Sequence, residues 1–196
     1  MNTLVRQSLA GLRVLLVLTV LTGVLYPLGV WVVSRVPGLR ANAEGSVVEV
    51  DGHAVGSDLI GVDPVAKDPN HDPWFHTRPS AVTDPSTSGG SNKGGFDEDL
   101  VAAIKERKVA IAEREGVAES QIPADAVTAS ASGLDPQISP AYAELQVPRV
   151  ARENGLSEEE VRALVAQNTD GRGLGFLGEP GVNVLKLNLA VQATKG

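Results

Sequence analysis

The first forty residues contain one long apolar run. Residues 14–34 carry no charge, and as a helix these 21 residues would extend about 31 Å, close to the roughly 30 Å of a bilayer's hydrocarbon core. Apolar side chains occupy every side of the predicted helix rather than one stripe, which is typical of a lipid-exposed segment. The pattern predicts a cytoplasmic tip and transmembrane helix in residues 1–40 and a separate domain in residues 41–196.

The charges around this run predict its orientation. Arg6, Arg13 and the terminal amine precede it, whereas acidic residues accumulate after Glu44. The positive-inside tendency therefore places the N-terminus in the cytoplasm and the main domain outside, on a single-pass protein of the cell membrane. A cleaved signal peptide is the alternative, because residues 41–43 form an A-x-A pattern. The apolar run is longer than a secretory h-region, which favours a retained anchor.

Beyond the membrane segment, the polar and apolar positions predict a mixed fold. Asp51-Gly52 lies between two short runs and predicts a hairpin turn, whereas the Pro- and Gly-rich residues 61–96 predict a long irregular stretch. Helices are expected over residues 97–115, from residue 140 to about residue 154, and after a capping box at residues 157–160, from their caps, stops and apolar faces. Alternating Leu and polar residues after Val184 predict a C-terminal strand.

These elements together predict an α+β fold. It would consist of one N-terminal transmembrane helix followed by a single extracytoplasmic domain with a hairpin, about three helices and a C-terminal strand.

Charge and cysteine content exclude several kinds of function. Residues 41–196 contain 13 basic and 24 acidic residues, a net charge of −11. Such a domain repels phosphate backbones and attracts cations, so no nucleic-acid partner is expected. The chain contains no cysteine, which excludes disulfides, thiol catalysis and thiolate metal sites.

The candidate chemical motifs are incomplete. Residues 68–72 begin like a calcium loop, but Pro73 and Pro79 occupy positions that need Gly and Glu. His71, His76 and Asp72 could hold a metal or simply belong to a polar loop, and we predict no metal site. No G-x-S-x-G elbow surrounds Ser132, so we predict no catalytic residue and no enzyme activity of the chain on its own.

A Gly-rich segment at residues 88–95 admits three interpretations. It lacks the Lys and Ser/Thr of a phosphate-binding P-loop. Its exposed backbone N–H groups could nevertheless cradle an anion, or its glycines could press against another backbone, or it could be a flexible surface turn.

Several ungapped stretches, taken in order, resemble the KdpC family, the C subunit of Kdp-type potassium-transporting P-type ATPases. They are residues 75–81 (FHTRPSA), 88–92 (SGGSN), 127–135 (VTASASGLD), 146–151 (QVPRVA) and 182–189 (VNVLKLNL). The likeness spans nearly the whole chain. Residues 93–96, Gly181 and Lys186 depart from the family pattern.

The resemblance implies an accessory subunit of a high-affinity, ATP-driven potassium import complex. Its partners would be a channel-like potassium-translocating subunit, an ATP-hydrolysing P-type subunit and a small single-helix subunit. The family is described as stabilising the complex and as a catalytic chaperone that raises the ATP affinity of the hydrolysing subunit. The chain would have no cofactor of its own, since the complex handles ATP and potassium.

The resemblance also implies particular site residues. Gln146 is the residue associated with ATP, and a segment likened to an ABC-transporter signature comprises Ser88, Gly89, Gly90, Ser91 and Asn92. Further family-motif or partner positions are Phe75, Arg78, Pro79, Ser80, Thr128, Ser130, Ser132, Asp135, Pro148, Arg149, Asn183 and Asn188. An extracytoplasmic domain would not meet cytoplasmic ATP, so a second hypothesis is that the acidic domain caps the outer potassium entrance. The alternative from another class is a stand-alone membrane-anchored hydrolase or binding protein.

Overall fold

The computed structural model describes residues 2–82, 84 and 86–194, and the chain divides after Val47 into two compact units. We call the first the anchor unit and the second, from residue 48 onward, the C-terminal domain. The predicted boundary after residue 40 concerns where the chain leaves the membrane, and it stays a prediction.

The anchor unit is dominated by one continuous helix over Thr3–Ser34, whose side chains are all exposed or nearly so. It consists of α1 (Thr3–Val20), a π-helical turn (Leu21–Leu25) and α2 (Tyr26–Ser34). Pro27 has no N–H to donate to the preceding turn, and a π-turn is a common way to absorb such a loss. The helix is long and apolar enough to cross a membrane, as predicted.

A short helix and a hairpin follow. Helix α3 covers Arg40–Ala43. The hairpin predicted from the turn sequence is formed by β1 (Val47–Val50) and β2 (His53–Ser57). Asp51 and Gly52 between the strands have φ angles of 51° and 76°, the left-handed conformation that a tight hairpin turn requires. This prediction is confirmed.

Residues 58–97 form the long irregular segment that the sequence predicts, with no helix or strand among its described residues. Its middle is nevertheless buried. Phe75 is fully buried, and the neighbouring His76 and Thr77 are less than a tenth exposed. This segment is therefore part of the core of the C-terminal domain.

The three predicted helices are present, and Ser139 and Ser157 are N-caps as predicted. They are α4 (Glu98–Glu115), α6 (Pro140–Asn154) and α7 (Glu158–Gln167), and the short α5 (Ala124–Val127) precedes α6 after a 3₁₀ turn at Glu119–Gln121. The side chains of Asp97, Ser139 and Ser157 accept backbone N–H groups at the three N-termini, and Ser157 shares a capping box with Glu160.

The predicted C-terminal strand is wrong. A short antiparallel sheet has the strand order β3 (Gln137–Ile138), β5 (Gly181–Asn183), β4 (Thr169–Asp170). Its last strand in the sequence, β5, is followed directly by a helix, α8 (Val184–Ala193). The buried residues of α8 are Val184, Leu187, Asn188 and Val191, which follow the helical spacing. The alternating pattern misled because Asn188, read as solvent-facing, points inward. The fold is α+β, and more helical than predicted.

The core of the C-terminal domain is formed mainly by its helices and β5. Helices α6 and α8 pack against β5, α7 packs against α6 and α8, and the irregular segment contributes Phe75. The fully buried large side chains are Tyr142, Phe75, Leu187, Gln146, Val147, Val150, Val161, Val182, Val184 and Val191. One of these ten is a polar amide, Gln146, so the core contains a hydrogen-bonding site that demands a partner.

Candidate functional site

Gln146, the residue that the resemblance associates with ATP, lies on α6 with no exposed surface. Its Oε1 accepts the backbone N–H of His76 at 2.8 Å and a guanidinium N–H of Arg149 at 3.1 Å. Its Nε2 donates to the carbonyls of His76 and Tyr142, both at 3.3 Å. The amide is thus fully engaged inside the domain. A contact with ATP stays a prediction, and it requires the domain to open.

Asn188 on α8 repeats this arrangement one residue earlier on the irregular segment. Its Oδ1 accepts the N–H of Phe75 at 2.8 Å, and its Nδ2 donates to the carbonyl of Phe75 at 2.9 Å. An amide side chain offers the same donor and acceptor pair as a neighbouring strand. Asn188 and Gln146 therefore satisfy the backbone of a segment that has no sheet partner at this point. We call these two contacts the amide clamps.

Arg149, one turn beyond Gln146, fixes the residues just before the clamps. Its guanidinium donates to the carbonyls of Asp72 at 2.7 Å and Trp74 at 2.9 Å and to the carboxylate of Glu115 at 2.9 Å. The Arg149 side chain is 4% exposed and that of Glu115 is completely buried. A buried charge pair with this many hydrogen bonds positions three elements, namely α6, α4 and the irregular segment.

His76 is held between two carboxylates. Its Nδ1 lies 3.1 Å from Asp63 and its Nε2 lies 2.5 Å from Asp72. Both ring nitrogens of His76 are thus engaged by carboxylate oxygens. His76 consequently has no free nitrogen to serve as a general base or a metal ligand. The other histidine of this loop, His71, is exposed and contacts Glu153 instead.

The two aspartates show the electrostatic effect of this arrangement. Burial by itself raises the pKa of the Asp72 carboxyl, but the hydrogen bond and the charge of His76, aided by the Trp74 N–H and Arg149, lower the pKa below its ordinary value of 3.8. For Asp63, burial is likewise outweighed by His76 and Thr77, so its pKa is also lowered. Both carboxylates are therefore stable as anions in the folded domain.

A second cluster joins other motif residues. Arg78 forms an ion pair with Asp135 at 2.9 Å and donates to the carbonyl of Thr128 at 3.4 Å. The hydroxyl groups of Ser130 and Ser132 lie 3.1 Å apart and also accept backbone N–H groups of the same turn. These serines serve the turn, and neither hydroxyl is hydrogen-bonded to a histidine within the described residues, as an activated nucleophile would require.

The Gly-rich segment docks on this turn. The Gly89 N–H and the Ser88 hydroxyl both donate to the carbonyl of Ser132, at 2.8 and 3.0 Å. A Cβ at Gly90 would lie 2.8 Å from the carbonyl oxygen of Ala131. Of the three interpretations of this segment, the structure therefore supports close approach to another backbone.

The remaining predicted positions have separate places. The carbonyl of Pro79 accepts the N–H of Ser130, and the Ser80 hydroxyl donates to the carbonyl of Val82. Asn183 caps α8 and donates to Asp58. Ser91, Asn92 and Pro148 are exposed and belong to neither cluster.

Sequence reasoning missed several residues of these clusters. The missed residues are Asp63, Glu115 and Tyr142. Asp72 was noted with His71 and His76, as a possible metal ligand or as part of a polar loop, but its ion pair with His76 was not predicted. The acids gave no local signal because their partners are distant in the sequence.

Comparison with known proteins agrees with the resemblance. The family model of KdpC, the C chain of K⁺-transporting ATPases, matches residues 8–193. A potassium-transporting ATPase KdpC subunit of Kineococcus radiotolerans is 50% identical over 196 residues, covering 98% of this chain and 96% of that protein. The corresponding subunit of Streptomyces avermitilis is 48% identical, covering 93% and 91%, and that of Koribacter versatilis is 44% identical, covering 97% and 96%. This chain therefore belongs to the KdpC family of potassium-transporting ATPase subunits.

Proposed function

We propose that this chain is a non-catalytic accessory subunit that assembles and stabilises an ATP-driven potassium import complex. The observation that carries the proposal is the family match across residues 8–193, which includes both the apolar helix and the C-terminal domain. The partners we propose are a channel-like potassium-translocating subunit, an ATP-hydrolysing P-type subunit and a small single-helix subunit. Potassium and ATP would be handled by those partners.

The proposed orientation has the N-terminus in the cytoplasm and the C-terminal domain outside. Arg6 and Arg13 support the cytoplasmic side under the positive-inside tendency, and the domain beyond residue 40 has a net charge of −11. An acidic domain raises the local concentration of cations within about a Debye length, roughly 8 Å at physiological ionic strength. We therefore favour a role as a cap over the outer potassium entrance.

An exposed apolar loop offers a contact for one of these partners. Leu174, Phe176 and Leu177 are 85%, 69% and 53% exposed, at the end of a narrow turn. The turn is ordered by two backbone hydrogen bonds of 2.8 Å between Gly173 and Leu177 and by an ion pair between Arg172 and Glu179 at its base. Three large, exposed apolar side chains on one hydrogen-bonded turn are typical of a protein interface. We propose that this loop binds a large subunit of the complex.

A catalytic-chaperone role would have to act without direct contact between Gln146 and ATP. Gln146 is hydrogen-bonded to the irregular segment and to Arg149, so it stabilises the fold of the domain. We propose that any effect of Gln146 on the ATP affinity of the complex arises from the integrity of the domain and its docking.

Reconstitution tests the proposed function. The complex is purified with and without this chain, and its potassium-stimulated ATPase activity is measured together with the amount of each large subunit. The proposal expects the chain alone to have no ATPase activity, and expects the complex without it to lose assembly or potassium stimulation. Full assembly and activity without the chain would contradict it, as would ATP hydrolysis by the chain alone.

A further inference from the structure

A cavity of about 280 Å³ in the C-terminal domain lies between α4 and the irregular segment. Three arginines line it, Arg78 from the irregular segment and Arg107 and Arg114 from α4. Its other titratable lining residues are His76, Asp63 and Asp135. Three arginine and two aspartate side chains therefore face this space. The C-terminal domain, whose 13 basic and 23 acidic residues give a net charge of −10, thus contains a site with an excess of positive charge.

The donors of two of these arginines are incompletely used. Arg107 makes one hydrogen bond, to the carbonyl of Val127 at 3.0 Å, and no ion pair within the described part of the chain. The Nε of Arg78 is buried and has no hydrogen-bond partner among the described residues. Arg114, in contrast, is paired with Glu115 and with the hydroxyl of Tyr142. Leaving the buried Nε–H of Arg78 without a partner is costly, so this group favours an acceptor. Arg107 is half-buried and has further donors that are not used within the described residues.

The two underused guanidinium groups are neighbours. Arg107 donates to the carbonyl of Val127 and Arg78 to the carbonyl of the next residue, Thr128. Adjacent residues have Cα atoms about 3.8 Å apart, so two like charges converge on one short stretch of backbone. The charge of Arg78 is already paired with Asp135, but the free donors of both groups could be satisfied by one anion. Arginine forks match the oxygens of carboxylate and phosphate groups.

The geometry points to a binding site for a small oxyanion, a carboxylate or a phosphate group, held by Arg78 and Arg107. The volume is at the lower limit of small-molecule pockets, which run from about 300 to 1,000 Å³, so a nucleotide is too large for it. The excess of positive charge excludes a potassium ion. Asp63 and Asp135 do not block the anion, because His76 and Thr77 engage the first, and Arg78 and Gln137 the second.

The site is tested on the full-length chain in detergent. The thermal unfolding midpoint of the C-terminal domain is recorded in sodium phosphate, sodium acetate and sodium chloride at equal ionic strength. Equilibrium dialysis with labelled phosphate or acetate gives the stoichiometry. Arg107→Gln removes one of the two arginines, and Lys105→Gln makes the same charge change at an exposed position of α4.

At about a hundredfold excess over Kd, an oxyanion is expected to raise the midpoint by about 5 to 10 °C relative to chloride. The shift and a stoichiometry of one should persist in Lys105→Gln and be lost in Arg107→Gln. A shift with phosphate only identifies a tetrahedral ligand, and a shift with acetate identifies a carboxylate. Equal shifts in the two variants would overturn the proposal, and so would the absence of any shift beyond that of chloride.

Discussion

Asn188 and Phe75 are 113 positions apart and are joined by two hydrogen bonds of 2.8 and 2.9 Å between one amide side chain and one backbone residue. Gln146 makes the equivalent pair with His76. Two helices thus hold an extended, irregular segment in the core by imitating a neighbouring strand. These contacts bring the family motifs that contain residues 75–76, 146 and 188 together in the fold, although the motifs are far apart in the sequence.

The amide clamps predict that Gln146 and Asn188 act through stability. Gln146→Ala and Asn188→Ala each leave a buried N–H and a buried carbonyl unpaired, so each should lower the free energy of unfolding by about 2 to 4 kcal/mol. Denaturant unfolding of the purified chain measures this loss.

The same pair of variants separates a structural role from a nucleotide contact. In the assembled complex, both variants should reduce the amount of complex recovered, and the KM for ATP of the complex that remains should be unchanged in both. A KM for ATP that rises several-fold in Gln146→Ala and not in Asn188→Ala would show a direct role of Gln146 and contradict this account.

The carboxylates around His76 predict a pH dependence of stability. Folding lowers the pKa of Asp72, so in acid the unfolded chain binds protons more readily than the folded chain. The stabilisation is complete above the unfolded pKa of about 3.9 and is lost as the pH falls through the lower pKa of the folded state. The free energy of unfolding should therefore decline below about pH 4.

Asp72→Asn tests the source of that decline. Removing one partner of a buried ion pair should cost about 3 kcal/mol at neutral pH and make the curve of stability against pH flatter in the acid range. Asp51→Asn, in the exposed hairpin turn, is the control and should change neither. An acid limb of unchanged slope in Asp72→Asn would refute the proposed linkage.

The Gly-rich segment predicts a contrast between two glycines. A Cβ at Gly90 would lie 2.8 Å from the carbonyl oxygen of Ala131, whereas a Cβ at Gly94 has no atom within 4 Å. Gly90→Ala should lower the free energy of unfolding by about 1 to 3 kcal/mol, and Gly94→Ala should change it by less than about 0.5 kcal/mol. Equal effects would show that the segment does not pack as described.

The exposed apolar loop predicts a binding defect without a folding defect. Phe176→Ser should reduce co-purification with the large subunits about tenfold, because it removes an exposed aromatic anchor. The thermal midpoint of the isolated chain should stay within about 2 °C of the parent, since Phe176 is 69% exposed. Phe96→Ser changes a fully exposed phenylalanine elsewhere and should leave recovery unchanged. Equal recovery in the two variants would remove the loop from the interface.

Much of the secondary structure could be predicted because its signals are local. The caps at Ser139 and Ser157 and the stops at Gly116 and Gly155 lie next to the helices they limit. The same holds for the hairpin turn. Such features depend on a few neighbouring residues, so one sequence is sufficient to find them.

The burial of the irregular segment could not be predicted in this way. Its prolines and polar residues are typical of a surface loop, and only distant groups, the amides of Gln146 and Asn188 and the guanidinium of Arg149, make its burial possible. Asn188 also misled the prediction at the C-terminus, because it was assigned to a polar outer face and is buried. Buried polar residues carry the site, and polarity alone gives no sign of their burial.

The central claim is that one helix anchors an acidic domain on the outer side of the membrane, beside an ion-conducting partner. The chain contains no cysteine, so single cysteines can report sidedness. Val65→Cys is a suitable probe because Val65 is 90% exposed in the C-terminal domain, and Asn2→Cys probes the N-terminus. In intact cells a membrane-impermeant maleimide should label Val65→Cys, and it should label Asn2→Cys only after permeabilisation. The reverse pattern would place the domain in the cytoplasm and contradict the account.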